Sequence, residues 1–233
     1  MITTLLLILF LLVVAAIIWL FFNPKSKIYS FHESSVGDKK IALTFDDGPN
    51  PASTPKILEI LKSSSIKATF FVVGKNVRKY PDLLKKTAND GHLIANHGDV
   101  HKLALALSRQ ASLSDIRRTT ESITKIINQK PTFYRPPYGF RVPWVAKAID
   151  RAGYKIVTWN NMTYDYWGLA SEKIVKNILN QSKPGGIIVL HDGHEGLAKS
   201  DFSQMLDALP TIITSLKHQG YKFVRIDELI GNP

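Results

Sequence analysis

The chain of 233 residues has no cysteine. That excludes a disulfide framework and any thiolate metal site, so a bound metal must be held by imidazole, carboxylate or carbonyl groups. Acidic residues are scarce beside basic ones, 19 against 30, which leaves a net charge of +11. Such an excess favours contact with anionic surfaces, among them phospholipid head groups, wall polymers and nucleic acid. A dedicated nucleic-acid groove is disfavoured. The basic residues (Lys75, Arg78, Lys79, Lys85, Lys86, Arg117, Arg118) are scattered over amphipathic stretches with no interleaved aromatics. There is no repeat at a solenoid period and no low-complexity tract. At 45% hydrophobic content, one substantial core and one domain plus an appendage account for the length.

Charge is absent altogether from Leu5 to Phe22, an apolar run of 18 residues. At ~1.5 Å per helical residue it crosses most of a hydrocarbon core ~30 Å thick. A cleavable signal would show a basic start, a shorter apolar stretch and a small-x-small site, whereas Ala15-Ala16 is followed by Ile17-Ile18-Trp19-Leu20-Phe21-Phe22. Residues 1–22 are therefore expected to form an uncleaved transmembrane anchor. Residues 23–38, with Pro24, Ser26, Ser30, Ser34, Ser35 and Gly37, read as a polar tether with a reach on the order of 20 to 25 Å. Lys25 and Lys27 follow the span and no Lys or Arg precedes it; the positive-inside tendency alone would put residues 39–233 in the cytoplasm.

Beyond the tether, β-rich runs alternate with helical patterns. Strands are predicted at Ile41–Phe45, Ala68–Val73, His92–Asn96, Thr132–Tyr134, Lys155–Trp159, Gly186–Leu190 and Tyr221–Ile226. A helix follows from Leu113, Ile116, Thr120, Ile123 and Ile127, with Ser112 or Ser114 placed to cap it. Another runs over about Ser203 to His218, and Pro210 inside it is expected to kink or restart it. Seven strands with helical crossovers imply an α/β fold, either an open doubly wound sheet or a closed barrel. The polar residues that look chemical each follow a different strand, which favours the barrel.

The sharpest chemical feature is Thr44-Phe45-Asp46-Asp47-Gly48-Pro49, two adjacent carboxylates at a strand end. Burying both without a cation would cost several kcal/mol. His97 and His101 stand four apart, a spacing that lets two imidazoles grip one ion. One carboxylate with two imidazoles leaves open coordination positions, the mark of a catalytic site, and on side-chain identity alone both zinc hydrolysis and non-haem Fe(II) oxygenation fit. The second aspartate favours a hydrolase, which needs a base beside the water. Arg135 in Phe133-Tyr134-Arg135-Pro136-Pro137-Tyr138-Gly139 can present a fixed guanidinium to a carboxylate. His191 ends the run Ile187-Ile188-Val189-Leu190, where a general acid could stand, and Asp165 could orient that imidazole and raise its pKa. The sequon Asn161-Met162-Thr163 is read as a chance match.

Taken in order, these segments resemble the polysaccharide deacetylases of the NodB-homology type, the fourth carbohydrate esterase family, over roughly Lys39 to Leu229. The resemblance implies a distorted (β/α) barrel of about seven parallel strands, here preceded by one transmembrane helix, that binds one divalent metal. The metal is usually zinc, with cobalt or nickel as alternatives. It implies removal of N- or O-acetyl groups from a glycan, with a chitooligosaccharide deacetylase, an O-acetyl esterase or a non-catalytic glycan-binding relative as alternatives to a peptidoglycan deacetylase. By the same resemblance Asp46 is the general base, and Asp47, His97 and His101 are the metal ligands. Arg135 holds Asp46, His191 is the general acid and Asp165 tunes it. Tyr166 and Leu190 line the acetyl pocket, and the Tyr138 backbone amide helps bind the oxyanion. Gly98 stands where Ser or Thr is usual, and Met162 and Tyr166 where Asp and Trp are common. Peptidoglycan as the substrate would place the domain outside the membrane, anchored by residues 1–22, with anionic surface polymers as further partners and no nucleic acid.

Overall fold

A computed structural model describes residues 2–22, 30–31, 33–34, 38–193 and 201–231. Along the chain run α1 (Ile2–Phe22), β1 (Lys40–Asp46), α2 (Thr54–Ser63), β2 (Thr69–Val72), α3 (Gly74–Lys79), α4 (Pro81–Asn89), β3 (Leu93–Asn96), α5 (Arg109–Ile127), β4 (Phe133–Tyr134) and α6 (Pro143–Arg151). They are followed by β5 (Lys155–Ile156), β6 (Asn161–Met162), α7 (Ser171–Gln181), β7 (Gly186–His191), α8 (Ser203–His218), β8 (Lys222–Val224) and α9 (Ile226–Ile230). The strands run β5-β4-β3-β2-β1-β7-β6, and every pairing is parallel. β8 joins β1 over Lys40–Ala42, below the stretch Thr44–Asp46 that pairs with β2.

Period-two alternation in β1 sets the two layers of the core. Ile41, Leu43 and Phe45 point toward the helices and pack with Leu58 and Leu61 of α2, Ile174 of α7, and Leu209 and Ile212 of α8. Ala42 points the other way, into a second cluster with Phe71, Ala95, Phe133, Val157, Ile187 and Val189, closed off by Ile226 and Leu229 of α9. Thr44 and Asp46 share the parity of Ala42 and so face this interior.

The barrel is incomplete: among the described residues β5 and β6 share no ladder. Part of the stretch expected as a tether fills this gap. Phe31 donates its N–H to the Ile156 carbonyl (2.9 Å) and accepts from Thr158 N–H (2.7 Å), while Ser34 N–H bonds the Gly185 carbonyl (2.8 Å). A Cβ on Gly185 would lie 2.1 Å from the Ser34 oxygen, so glycine is what admits the segment. The physical reason is the unpaired edge of a buried parallel sheet, which demands backbone partners. Residues 23–29 of the expected tether lie outside the described residues.

Other expectations shift slightly. α5 begins earlier than predicted and is capped by Ser108, which accepts from Ala111 N–H (3.3 Å), not by Ser112 or Ser114. α8 runs through Pro210 as one helix. β6 was not foreseen. α1 is 21 residues long, about 31 Å at helical rise. Its side chains are described only for residues 4–16, and over the described residues no helix is long and apolar enough to cross a membrane.

Candidate active site

Strand register assembles the site. Asp46 of β1 pairs with His191 of β7 on one side and with Phe71 of β2 on the other. Val72 pairs with Asn96 of β3, and Asn96 with Tyr134 of β4. Asp47, His97 and Arg135 are each the next residue after a strand, so all three emerge at the C-terminal rim, where a parallel α/β sheet builds its sites.

Asp47, His97 and His101 offer ligand atoms within 4.8 Å of one another. The Asp47 Oδ1 lies 3.4 Å from His97 Nε2 and 3.6 Å from His101 Nε2. Tetrahedral bonds of ~2.1 Å would set ligand atoms ~3.4 Å apart, so the spacing suits a small divalent cation with nitrogen and oxygen donors. Asp47 Oδ1 and His101 Nδ1 are buried and have no hydrogen-bond partner among the described residues, a costly state for a carboxylate oxygen that a cation would relieve. His97 is oriented from behind, its Nδ1 2.7 Å from the Arg135 carbonyl. Burial works to raise the Asp47 carboxyl, but the adjoining His97 and His101 outweigh it and hold the group well below the usual range. Burial dominates at His101 and lowers it to about 4, which keeps the ring neutral and able to ligate.

Asp46 is pinned beside this cluster. Arg135, wholly buried, donates to Asp46 Oδ1 (2.6 Å), to Thr44 Oγ1 (2.8 Å) and to the carbonyls of Val157 (3.2 Å) and Thr158 (3.1 Å). Its guanidinium carbon sits 3.9 Å over the Phe71 ring, with Trp159 at 5.5 Å. Asp46 Oδ2 remains on the side of the imidazoles, 3.8 Å from His97 Nε2.

Across β7, His191 meets Asp165 twice: Asp165 Oδ2 accepts the backbone N–H (2.8 Å) and Oδ1 lies 3.0 Å from Nδ1. Burial would lower His191, yet the Asp165 charge and hydrogen bond, with Asp47 and Asp46 beyond, raise it to about 9. Tyr166 stands edge-on to His191 at 4.6 Å, and burial pushes its phenol up to about 12. Tyr138 lies at the opposite rim, in a left-handed conformation (φ 59°), its ring 4.4 Å from His101.

One assignment is corrected. Leu190 lies in the helix-side core with Phe45 and Leu209, on the face of β7 opposite to His191. Val189, which shares the parity of His191, faces the interior with Trp159 and Met162. Asn161 of the chance sequon is fully buried, its Nδ2 bonded to the carbonyl of Ile178 and the hydroxyl of Ser182.

Sequence reasoning missed two supporting carboxylates. Asp192 is fully buried and accepts from Gly48 N–H (3.1 Å) and Thr54 Oγ1 (2.6 Å), clamping the turn that carries Asp47. A Cβ on Gly48 would strike its carboxylate at 2.1 Å. The signal was present, since Asp192 follows His191 directly. Asp115 of α5 supports the other loop: its Oδ2 accepts from Asp99 N–H (2.7 Å), and a Cβ on Gly98 (φ 83°) would lie 2.6 Å from that oxygen. The absent side chain at 98 is thus matched by a carboxylate reaching in from a helix.

The chain is similar to known proteins over most of its length. The polysaccharide deacetylase family matches residues 33–157. A peptidoglycan-N-acetylglucosamine deacetylase of Bacillus cereus is 36% identical over 82% of this chain and 68% of its own length. A chitooligosaccharide deacetylase of Rhizobium leguminosarum is 35% identical over 82% and 92%. The solved structure of the Bc1960 peptidoglycan N-acetylglucosamine deacetylase superposes with a TM-score of 0.84 at 32% identity, covering 93% of this chain and 97% of that one. With its strand-end carboxylates, paired imidazoles and matching fold, the chain belongs to the polysaccharide deacetylase family.

Proposed function

We propose that this deacetylase is a divalent-metal-dependent hydrolase that frees the amine of N-acetylglucosamine residues in peptidoglycan. The observation that carries the reading is the buried Asp47 Oδ1, without a hydrogen-bond partner among the described residues, between two imidazoles and beside a second aspartate held by Arg135. Asp47, His97 and His101 would hold the cation; zinc suits the donor set, and cobalt or nickel fit the same ligands. When bound, the cation supplies polarisation of the acetyl carbonyl and acidification of water.

The remaining roles belong to the chain. Arg135 occupies Asp46 Oδ1, so Oδ2 is the oxygen that accepts the proton from the attacking water. Asp165 engages His191 Nδ1, so Nε2 is the nitrogen that delivers a proton to the leaving amine. That proton is required, because an amide anion is too poor a leaving group to depart unaided. The C–N bond breaks, acetate leaves, and the glycan retains a free amine. The Tyr138 amide would support the oxyanion, and Tyr166 forms the pocket wall beside His191.

Peptidoglycan is favoured over chitin-type oligomers by the likeness to the peptidoglycan-N-acetylglucosamine deacetylase of Bacillus cereus, while the Rhizobium relative supports the oligosaccharide as second reading. Residues 1–22 would anchor the domain, and a wall substrate would put it outside the bilayer, against the thin bias of Lys25 and Lys27. The net charge of +11 suits anionic wall polymers. Protease added to intact cells should degrade the domain; protection would reverse the orientation.

The decisive measurement is acetate release from muropeptides and N-acetylglucosamine oligomers by metal-loaded protein. Asp46→Asn should keep the metal and lose activity by at least roughly a hundredfold, whereas Asp47→Ala should lose both. Equal metal content in the two variants would sink the division of roles.

A further inference from the structure

The turn at residues 164–167 carries two large aromatic side chains that the chemistry above does not use. Trp167 is 68% exposed and Tyr164 49%. Their rings stack on each other at 5.0 Å and 17°, and both stand edge-on to Tyr166, at 5.8 and 6.3 Å. Tyr166 in turn touches His191. A continuous aromatic path therefore leads from the acid imidazole out to solvent. The path is fixed in place, because Asp165, inside the same turn, is bonded to both the backbone and the ring of His191. Leaving two stacked rings in water is unfavourable, and an exposed apolar patch at the edge of a site marks a contact surface.

Resting on the deacetylase reading, we propose that Tyr164 and Trp167 form a sugar-stacking ledge for the glycan unit next to the one being deacetylated. The amine that His191 protonates is bonded to the sugar, so the sugar ring comes within reach of His191 and the adjoining Tyr166, and the polymer attached to it passes over the surface around them. Tyr166 leads outward from His191 to the exposed Tyr164–Trp167 pair. Aromatic faces are electron-rich and attract the C–H-lined face of a pyranose, so a flat exposed ring pair suits a neighbouring sugar in the same chain. A bilayer interface also attracts Trp and Tyr; the position beside the acid favours the glycan.

The test compares Trp167→Ala, Tyr164→Ala and Trp167→Phe with the parent protein. KM would be measured for a chitin pentasaccharide, for the disaccharide and for a small acetyl ester. The alanine variants should raise KM for the pentasaccharide roughly tenfold, leave the small ester unchanged, and alter kcat little; Trp167→Phe should recover most of the loss. Equal KM values across the variants for the pentasaccharide would overturn the ledge while leaving the deacetylase reading intact. So would a loss of binding to anionic lipid vesicles without any change toward the pentasaccharide, which assigns the rings to a membrane surface. If the parent turns over no acetyl substrate, the deacetylase reading fails instead. Depletion of the protein from solution by insoluble peptidoglycan then decides the ledge: Trp167→Ala must weaken it.

Discussion

The two flanks of the site hold their charges by different means. On the β3–β4 flank, Asp46 is paired with Arg135, a cation that cannot discharge at any ordinary pH and is locked by two carbonyls, a threonine hydroxyl and two aromatic rings. On the β7 flank, Asp165 is paired with His191, which can give up its proton. The first arrangement keeps a base aimed; the second keeps an acid that has to cycle. Exposure follows the same division. Arg135 is fully buried, whereas the turn carrying Asp165 ends in exposed Trp167. Reaction geometry is fixed on one flank, and contact with the rest of the substrate falls to the other.

The largest effect should come from breaking the permanent pair. Arg135→Met leaves Asp46 buried without a counter-charge and should destabilise the fold by about 3–5 kcal/mol in denaturant unfolding. Adding Asp46→Leu should return much of that stability in an inactive protein, since both charges are then gone. If Arg135→Met alone proved as stable as the parent, Asp46 would have to be paired by something other than Arg135.

Much of this flank was legible beforehand because it is written in side chains at fixed offsets. Asp46-Asp47 after an apolar run, His97 with His101, and Arg135 before two prolines each carry a local chemical signature. Illegible features depend on backbone or on distant contact. Phe31 and Ser34 seal the sheet through main-chain hydrogen bonds, which leave no residue pattern, so their serine-rich surroundings read as a tether. β6 is two residues long, too short for any periodicity. Leu190 was misplaced by a single residue, which in a strand is the difference between one face and the other. Asp115 belongs to a helix that meets the Gly98 loop only in three dimensions.

A mid-sized effect is expected at the titratable pair. With Asp165 in place His191 is raised to about 9, so the group is protonated as an acid at neutral pH and activity should fall as pH rises through that value. Asp165→Asn removes the charge that opposes burial. The alkaline limb of kcat/KM should therefore move down by about 1–3 pH units. Stability is linked with the same sign: the folded protein holds a proton that the unfolded chain releases above about 6.5, so this contribution is full below 6.5 and disappears as pH rises through about 9. An unshifted limb would remove His191 as the acid.

The smallest effect concerns the support of the metal loop, where the two flanks can be compared by the same experiment. Asp115 accepts the Asp99 N–H two residues before His101 and is itself held by Arg118 (3.0 Å), so it fixes the loop between the two imidazoles without touching a ligand. Asp115→Ala should weaken zinc affinity about tenfold by competition with a chromophoric chelator, a loss typical of outer supports. Asp115→Asn, which keeps an acceptor oxygen, should lose less. Gly98→Ser alone should be worse tolerated, since its Cβ meets the Asp115 carboxylate and φ is 83° there. In the Asp115→Ala background that collision is gone while the backbone strain remains, so the double variant should cost less than the sum of the two. Strict additivity would mean that Gly98 is required by its backbone alone and that Asp115 acts on the loop independently of it.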